Sequence, residues 1–310
     1  MTGPANRQTP PVCSYEGSDY QESFWESGGR AYEDQVEAVA LRRLLPPGGS
    51  LLLELGAGAG RNTPRYRDFE RVVLLDYSLT QLQQAQARLG RSERYIYVAA
   101  DVYRLPFASG LFDAATMIRV LHHMADAPLA LSQVRQAMKS GGAFILEYAN
   151  KQNLKAILRY LLRRQDWSPF SHEPVEFAAL NFDFHPAAVQ DWLQQSGFAV
   201  ERRLTVSHFR IGLLKRVLPL KLLVSMDALA QLSGDWWQLS PSVFLRARAL
   251  GKSRTSAGIA AWDGKSSIFR CPECGQARLE ETQDRIACHT CGRKWQIIEG
   301  IYDFRSSASG

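Results

Sequence analysis

The stretch Leu-Leu-Leu-Glu-Leu-Gly-Ala-Gly-Ala-Gly-Arg at residues 51–61 narrows the fold more than any other part of the chain. Its first half is a short apolar run, the pattern of a strand buried on both faces of a parallel sheet. Its second half turns through Gly56, Gly58 and Gly60. Residues without a Cβ let the backbone turn tightly and let a ligand come close. A strand followed by such a turn opens a nucleotide-binding α/β sheet. The spacing excludes one ligand class. A dinucleotide loop reads G-x-G-x-x-G, but the position three beyond Gly58 is Arg61, so the loop here is G-x-G-x-G, preceded by the acidic Glu54. A tight turn that binds nothing has the same glycines, so the downstream residues must decide between the two.

Beyond the loop, strand and helix alternate. Residues 71–76 form a second apolar run that ends in Asp76. An acid about 20 residues past the first glycine reaches ribose hydroxyls. The same region opens a helix over 81–89 with Ser78 and Thr80, so an N-cap role for Asp76 competes with the ligand role. Residues 95–100 give a third strand and 111–120 a fourth. At the end of the fourth come Leu121-His122-His123-Met124, on the edge where open α/β sheets bind ligands. A helix over 128–138, a Lys-Ser-Gly-Gly turn and a fifth strand over 143–148 complete the alternation. A helix over 20–45, ended by Pro46-Pro47-Gly48-Gly49, precedes all of this, and strands over 198–203 and 243–249 come after. Four strand–helix alternations in a row argue for a doubly wound parallel sheet.

These motifs resemble the class I S-adenosylmethionine (SAM) dependent methyltransferases. Over residues 45–250 they are most similar to the broad type 11 group containing the quinone-biosynthesis C-methyltransferases. The pairing of Leu105-Pro106-Phe107 with Phe112-Asp113 carries much of the likeness, while Ser140 stands where that family has proline. The resemblance implies a seven-stranded Rossmann-like sheet whose last strand is antiparallel, and SAM as cofactor. SAM carries no phosphate, so its loop need not wrap a pyrophosphate. The implied cofactor residues are Glu54, Gly56, Ala57, Gly58, Gly60, Asp76 on the ribose, Tyr77, Asp101 on the adenine amino group, Val102 through its backbone N–H, and Arg119. Tyr32, near the start of the first helix, is a candidate to cover SAM. The donor arrives activated, so such an enzyme mainly supplies alignment. A base is needed only where the acceptor must lose a proton. His122 and His123 are the candidates for it, with packing an equal alternative; Tyr148, His172 and His208 come after them.

Two helical inserts are expected, over about 151–183 and 211–233, forming a lid over an apolar acceptor pocket. Between residues 151 and 224 there are eleven Lys/Arg against six Asp/Glu, which accounts for most of the net charge of +6. A basic stretch attracts RNA, anionic substrates or acidic membranes, but an excess this small fits a solvated helix face. No run is long enough to span a membrane; residues 211–224 are broken by Lys215, Arg216, Pro219 and Lys221. Residues 1–19 are polar and lack the apolar core of a signal peptide, so they read as a disordered leader to a cytoplasmic protein. Residues 251–267, rich in Gly, Ser and Ala, read as a linker.

Four of the five cysteines stand in two C-x-x-C pairs, Cys271/Cys274 and Cys288/Cys291, with thirteen residues between the pairs. Four thiolates so spaced surround one tetrahedral zinc ion and leave no open position, so the metal is expected to be structural. His289 lies inside a pair and is not counted as a ligand. The module, residues 268–310, resembles the small zinc-ribbon protein that activates tRNA and translation-factor methyltransferases. The reading is therefore a SAM-dependent methyltransferase acting on a small-molecule acceptor. One alternative is an RNA or translation-factor methyltransferase docking through the ribbon, although no Asn-Pro-Pro-Tyr motif comes after the fourth strand. The other is a SAM-binding scaffold without activity, against which the intact Glu54, Asp76 and Asp101 weigh.

Overall fold

The computed structural model describes residues 10–18, 25, 29–251, 268–277 and 279–308. In chain order the elements are α1 (Ala31–Leu44), β1 (Gly49–Leu55), β2 (Phe69–Asp76), α2 (Leu79–Leu89), β3 (Tyr95–Ala99), β4 (Phe112–Met117), α3 (Ala127–Ala137) and β5 (Met138–Ala149). They continue with α4 (Leu154–Leu161), β6 (Val175–Ala178), β7 (Asn181–Asp183), α5 (Pro186–Gln195), β8 (Phe198–Val206), α6 (Gly212–Val217), α7 (Leu220–Ala230) and β9 (Ser242–Ala249). The C-terminal module adds β10 (Glu280–Glu281), β11 (Arg285–Ala287), β12 (Lys294–Ile298) and β13 (Ile301–Ala308).

The seven strands expected of the sheet lie side by side in the order β3-β2-β1-β4-β5-β9-β8, parallel except at β9. The sheet does not stop there. β13 pairs parallel with β3, setting Ile301 opposite Tyr97 and Asp303 opposite Ala99, and β12, β11 and β10 continue outward to make eleven strands in all. The cysteine module thus completes an edge of the central sheet, and its Phe269, Trp295 and Phe304 share one apolar cluster with Phe107 and Phe112. An open strand edge exposes unpaired N–H and C=O groups, and β13 satisfies them.

Local chemistry explains the boundaries. Ser78 caps α2 by accepting from the Gln81 N–H, and Asp126 caps α3 by accepting from Leu129. α1 ends because Pro46 holds Leu45 extended, at ψ 141°. The helix expected after the glycine loop is a single 3-10 turn, Thr63–Tyr66. Thr63 gives its hydroxyl to Glu54, Pro64 has no N–H, and β2 begins at Phe69, which leaves no room for an α-helix. The segment 151–183, expected to be helical, holds α4 and then the hairpin β6–β7. The expected linker lies outside the described residues from 252 to 267.

Residues 10–18 correct the expectation of a free leader. They run across the carboxyl edge of the sheet as a strap. The Glu16 carboxylate accepts the Leu79 and Thr80 N–H groups at 2.9 and 3.1 Å, completing the N-terminus of α2. Gln81 donates to the Ser18 carbonyl at 3.1 Å. From the other end of the chain, Arg305 of β13 reaches the same Glu16 at 2.8 Å. A second correction concerns Tyr32. Its hydroxyl donates to Asp227 at 2.7 Å and accepts from the Phe209 N–H at 2.9 Å, fastening α1 to α7. The Asp227 carboxylate is fully buried and needs the Tyr32 hydroxyl as a donor, so Tyr32 is spent on the frame and does not line the ligand cavity.

Candidate active site

One cavity opens at the carboxyl ends of β1, β2, β3 and β4, where strand order reverses between β1 and β4. Its floor is the glycine turn. Gly56 and Gly58 stand at φ +64° and +53°, and a Cβ on Gly58 would point into the cavity, meeting only the Gln81 amide oxygen at 3.7 Å. Asp76 holds this turn from beside it. One carboxylate oxygen accepts the Gly58 N–H at 2.8 Å and the other the Ser78 N–H at 2.9 Å. Burial pushes its pKa up, and those amides oppose the shift. Asp76 thus holds the turn while also lining the cavity.

Of the sequence candidates, Gly56, Ala57, Gly58, Asp76, Tyr77, Val102, Arg119 and His123 line the cavity. Glu54, Gly60, Asp101 and His122 do not. Glu54 lies beneath the loop with its carboxylate on the Thr63 hydroxyl at 2.6 Å, and burial pushes its pKa up to about 7. A Cβ on Gly60 would strike Leu89 at 2.8 Å, so this glycine serves the packing of α2. Asp101 accepts the Tyr103 N–H at 2.9 Å and caps a short turn. The His122 ring lies tilted against His123, 4.0 Å between centroids; its Nδ1 is buried without a partner among the described residues, and burial holds its pKa well below the usual imidazole value.

His123 is held from both nitrogens. Its Nδ1 lies 3.0 Å from the Leu180 carbonyl, which only accepts, so Nδ1 carries the proton. The Nε2 is then an acceptor, 3.1 Å from the Tyr15 hydroxyl. Burial pushes the His123 pKa down, the Leu180 bond opposes it, and Arg119 adds to the lowering. Arg119 itself sits at φ +61°, an unusual conformation for a residue with a side chain. Its N–H donates to Glu147 at 2.8 Å, and its guanidinium meets Glu37 at 3.2 Å. Arg61, also on the cavity wall, joins Asp34 and Glu37 and covers the Trp25 ring at 3.6 Å.

Sequence reasoning missed Val12, Cys13, Tyr15, Trp25, Arg61 and Met124 as lining residues. Two of them carried a signal: Arg61 as the residue that ends the glycine loop, and Met124 as the last of four residues at the end of the fourth strand. The strap residues stand in a polar stretch with no periodicity to read. Asp76→Ala removes a charged acceptor from the cavity lip, so SAM affinity measured by calorimetry should fall about 10–100-fold; an unchanged affinity would remove Asp76 from the ligand site.

The four ribbon cysteines form a second site. Cys271 and Cys291 approach to 3.6 Å between sulfurs, as do Cys274 and Cys288, and all four sulfurs lie within 4.8 Å of one another. Thiolates at about 2.3 Å from a tetrahedral zinc ion are about 3.8 Å apart, so the donor set fits that metal. The two pairs sit on matching turns, with the Gly275 N–H on the Cys271 carbonyl and the Gly292 N–H on the Cys288 carbonyl, both at 2.9 Å.

Comparison with known proteins agrees with this geometry. A methyltransferase-domain family matches residues 53–146, which run from β1 into β5 and contain the glycine turn. The demethylmenaquinone methyltransferase of Clavibacter sepedonicus is 27% identical over 183 residues, 55% of this chain and 75% of that protein. Its counterpart in Thermobifida fusca is 30% identical over 160 residues, 49% of this chain and 66% of that protein. Among solved structures, a chain from the complex between the Haloferax volcanii Trm112 methyltransferase activator and a methyltransferase superposes with a TM-score of 0.52. It is 16% identical and the match covers 75% of this chain and 98% of that one, a likeness of fold alone. The chain carries a methyltransferase domain and belongs with the SAM-dependent methyltransferases.

Proposed function

We propose that the protein methylates a small aromatic acceptor, with SAM on the glycine-turn side of the cavity and the acceptor against His123. The observation that carries this reading is the state of His123: a neutral imidazole whose acceptor nitrogen lies at the cavity wall beside the apolar Ile118, Val120 and Met124. Bound SAM supplies a methyl group already activated on a sulfonium centre. The residues of the chain hold the partners in line and exclude water. Gly56, Gly58, Asp76 and Val102 seat the nucleoside, and the strap closes over it. His123 takes a proton from an acceptor hydroxyl or ring carbon once the Tyr15 hydroxyl gives way. The relatives named for demethylmenaquinone support an acceptor of that general kind.

The four cysteines hold a structural zinc ion on this reading, and their thiols belong in a reducing compartment, the cytoplasm. The likeness of the ribbon to a methyltransferase activator takes a specific form here. Its edge strand β13 is already spent on β3 of the same chain, so the ribbon supports the catalytic sheet in cis. Methyl transfer from labelled SAM to demethylmenaquinone or a short-chain analogue tests the proposal. His123→Gln should lower kcat about 10²–10⁴-fold with SAM affinity kept. Undiminished turnover in that variant would remove His123 as the base, and SAM binding without transfer to any quinol or phenol would remove the acceptor class.

A further inference from the structure

The segments inserted around the sheet carry apolar side chains that nothing described in the structure covers. α4 exposes Leu154, Leu158, Leu161 and Leu162, spaced as a stripe along one side, and buries only Ala156. Leu213 of α6 and Leu229 of α7 are 69% and 73% exposed. Just beyond α7, Trp236 and Trp237 are 78% and 61% exposed. These parts adjoin. The Leu154 N–H donates to the Leu239 carbonyl at 2.9 Å, and the Asn150 amide donates to the Gln238 and Ser240 carbonyls at 2.8 Å. The start of α4 is thus fastened to the segment just after the tryptophans. Proteins rarely leave so many large apolar side chains in water without a use for them.

The charges select the occupant. Residues 152–165 contain Lys155, Arg159, Arg163 and Arg164 and no acid; residues 209–226 contain Arg210, Lys215, Arg216 and Lys221 and no acid. Arg210 and Lys215 reach Glu33. The other six are exposed, and among the described residues no ion pair joins them to a carboxylate. A second copy related by a two-fold axis would set these cations against each other. Leucine and tryptophan rimmed by lysine and arginine suit the headgroup level of a negatively charged bilayer, where indole rings and long basic side chains span the boundary. No helix among the described residues is long and apolar enough to cross a membrane, so the contact is one of lying on the surface.

We propose that this face docks the protein on an anionic lipid bilayer. It rises from the sheet edge at which the cavity opens, because β5 ends at Ala149 directly opposite the first residue of β9, Ser242. The docking itself needs no assumption about the acceptor. Only its consequence, that a lipid-dissolved acceptor is met at the membrane, rests on the function proposed above.

Flotation of the full chain with vesicles tests it, comparing phosphatidylcholine alone with an equal mixture of phosphatidylcholine and phosphatidylglycerol. Binding is expected to the mixture, weakening as salt is raised. Arg163→Gln with Arg164→Gln should lower the partition coefficient about 30-fold, and Trp236→Ser with Trp237→Ser about tenfold or more. Calorimetric SAM binding, which uses none of these residues, confirms that each variant is folded. No flotation with anionic vesicles, or equal flotation of the folded variants, overturns the proposal. So does a dimer in sedimentation analysis that the tryptophan variants dissociate, since the face would then belong to a second copy.

Discussion

A chain carrying Cys274→Ser with Cys291→Ser is expected to purify without zinc and to melt about 10–20 °C below the parent, taking a loss on the order of 5 kcal/mol at about 2–4 °C for each. These two cysteines are the exposed members of the set. Their replacement removes two of the four proposed ligands without removing buried packing, so a loss of stability would report a bound metal. The effect should reach beyond the ribbon. Without its clamp the ribbon gives up the seat of Phe269, Trp295 and Phe304 in the main apolar cluster and uncovers β3. Each large apolar side chain returned to water costs about 1.5–3 kcal/mol. Elemental analysis and calorimetry together read the result. Zinc retained in the double variant would show that the donor set is wrong, and a parent-like melt without zinc would show that packing alone holds the ribbon.

Gly56→Ala should destabilise the fold by about 2–5 kcal/mol, the largest effect of adding one methyl group anywhere in the glycine turn. The backbone stands at φ +64°, and the added Cβ would lie 2.1 Å from Val120 Cγ2 and 3.2 Å from two further atoms of that side chain. Val120 is β-branched, so few rotamers are open to it and moving its Cγ2 aside is costly. The first part of the cost, about 1–2 kcal/mol, is the left-handed conformation; the rest is the collision. Gly58→Ala is the control. It carries the same conformational cost, but its Cβ meets open cavity. Its stability should fall by only about 1–2 kcal/mol, while its methyl group takes up space that SAM needs and lowers SAM affinity. Denaturant midpoints and SAM titration separate the two. Equal stabilities would show that Val120 yields.

The central sheet was legible in the sequence because its strands are buried on both faces and read as apolar runs, such as 51–53 and 72–75. The cysteine cluster was legible because two C-x-x-C pairs stand at a spacing that lets them meet. Three features were not. Nothing local in residues 301–308 says that they pair with residues 95–99, since a parallel register is chosen between distant segments. The strap at 10–18 binds by single contacts, Tyr15 to His123 and Glu16 to the start of α2, which leave no periodic trace. The leucines of α4 recur at the spacing of an amphipathic helix. Periodicity states that a helix has two faces, not which of them meets the protein, and here the apolar one looks outward. The expectation that the inserts close a lid over the cavity finds no counterpart among its lining residues. The same limit applies to Glu54 and Asp101: their acidity was read correctly, and their distance from the cavity depends on where Thr63 and Tyr103 fall in the fold.

The place of β13 in the sheet bears on how the chain is made. Synthesis runs from the amino end, so β1 to β5, β8 and β9 leave the ribosome while β3 still has no outer neighbour. The strand that protects it, β13, is translated after all of these. During that interval Tyr97, Val98 and Ala99 present a bare edge that another nascent chain can join. A chain cut short before residue 301 keeps every motif of the methyltransferase domain and stays in that exposed condition permanently. The C-terminal module therefore covers an edge of the sheet that stays open until the module has been made.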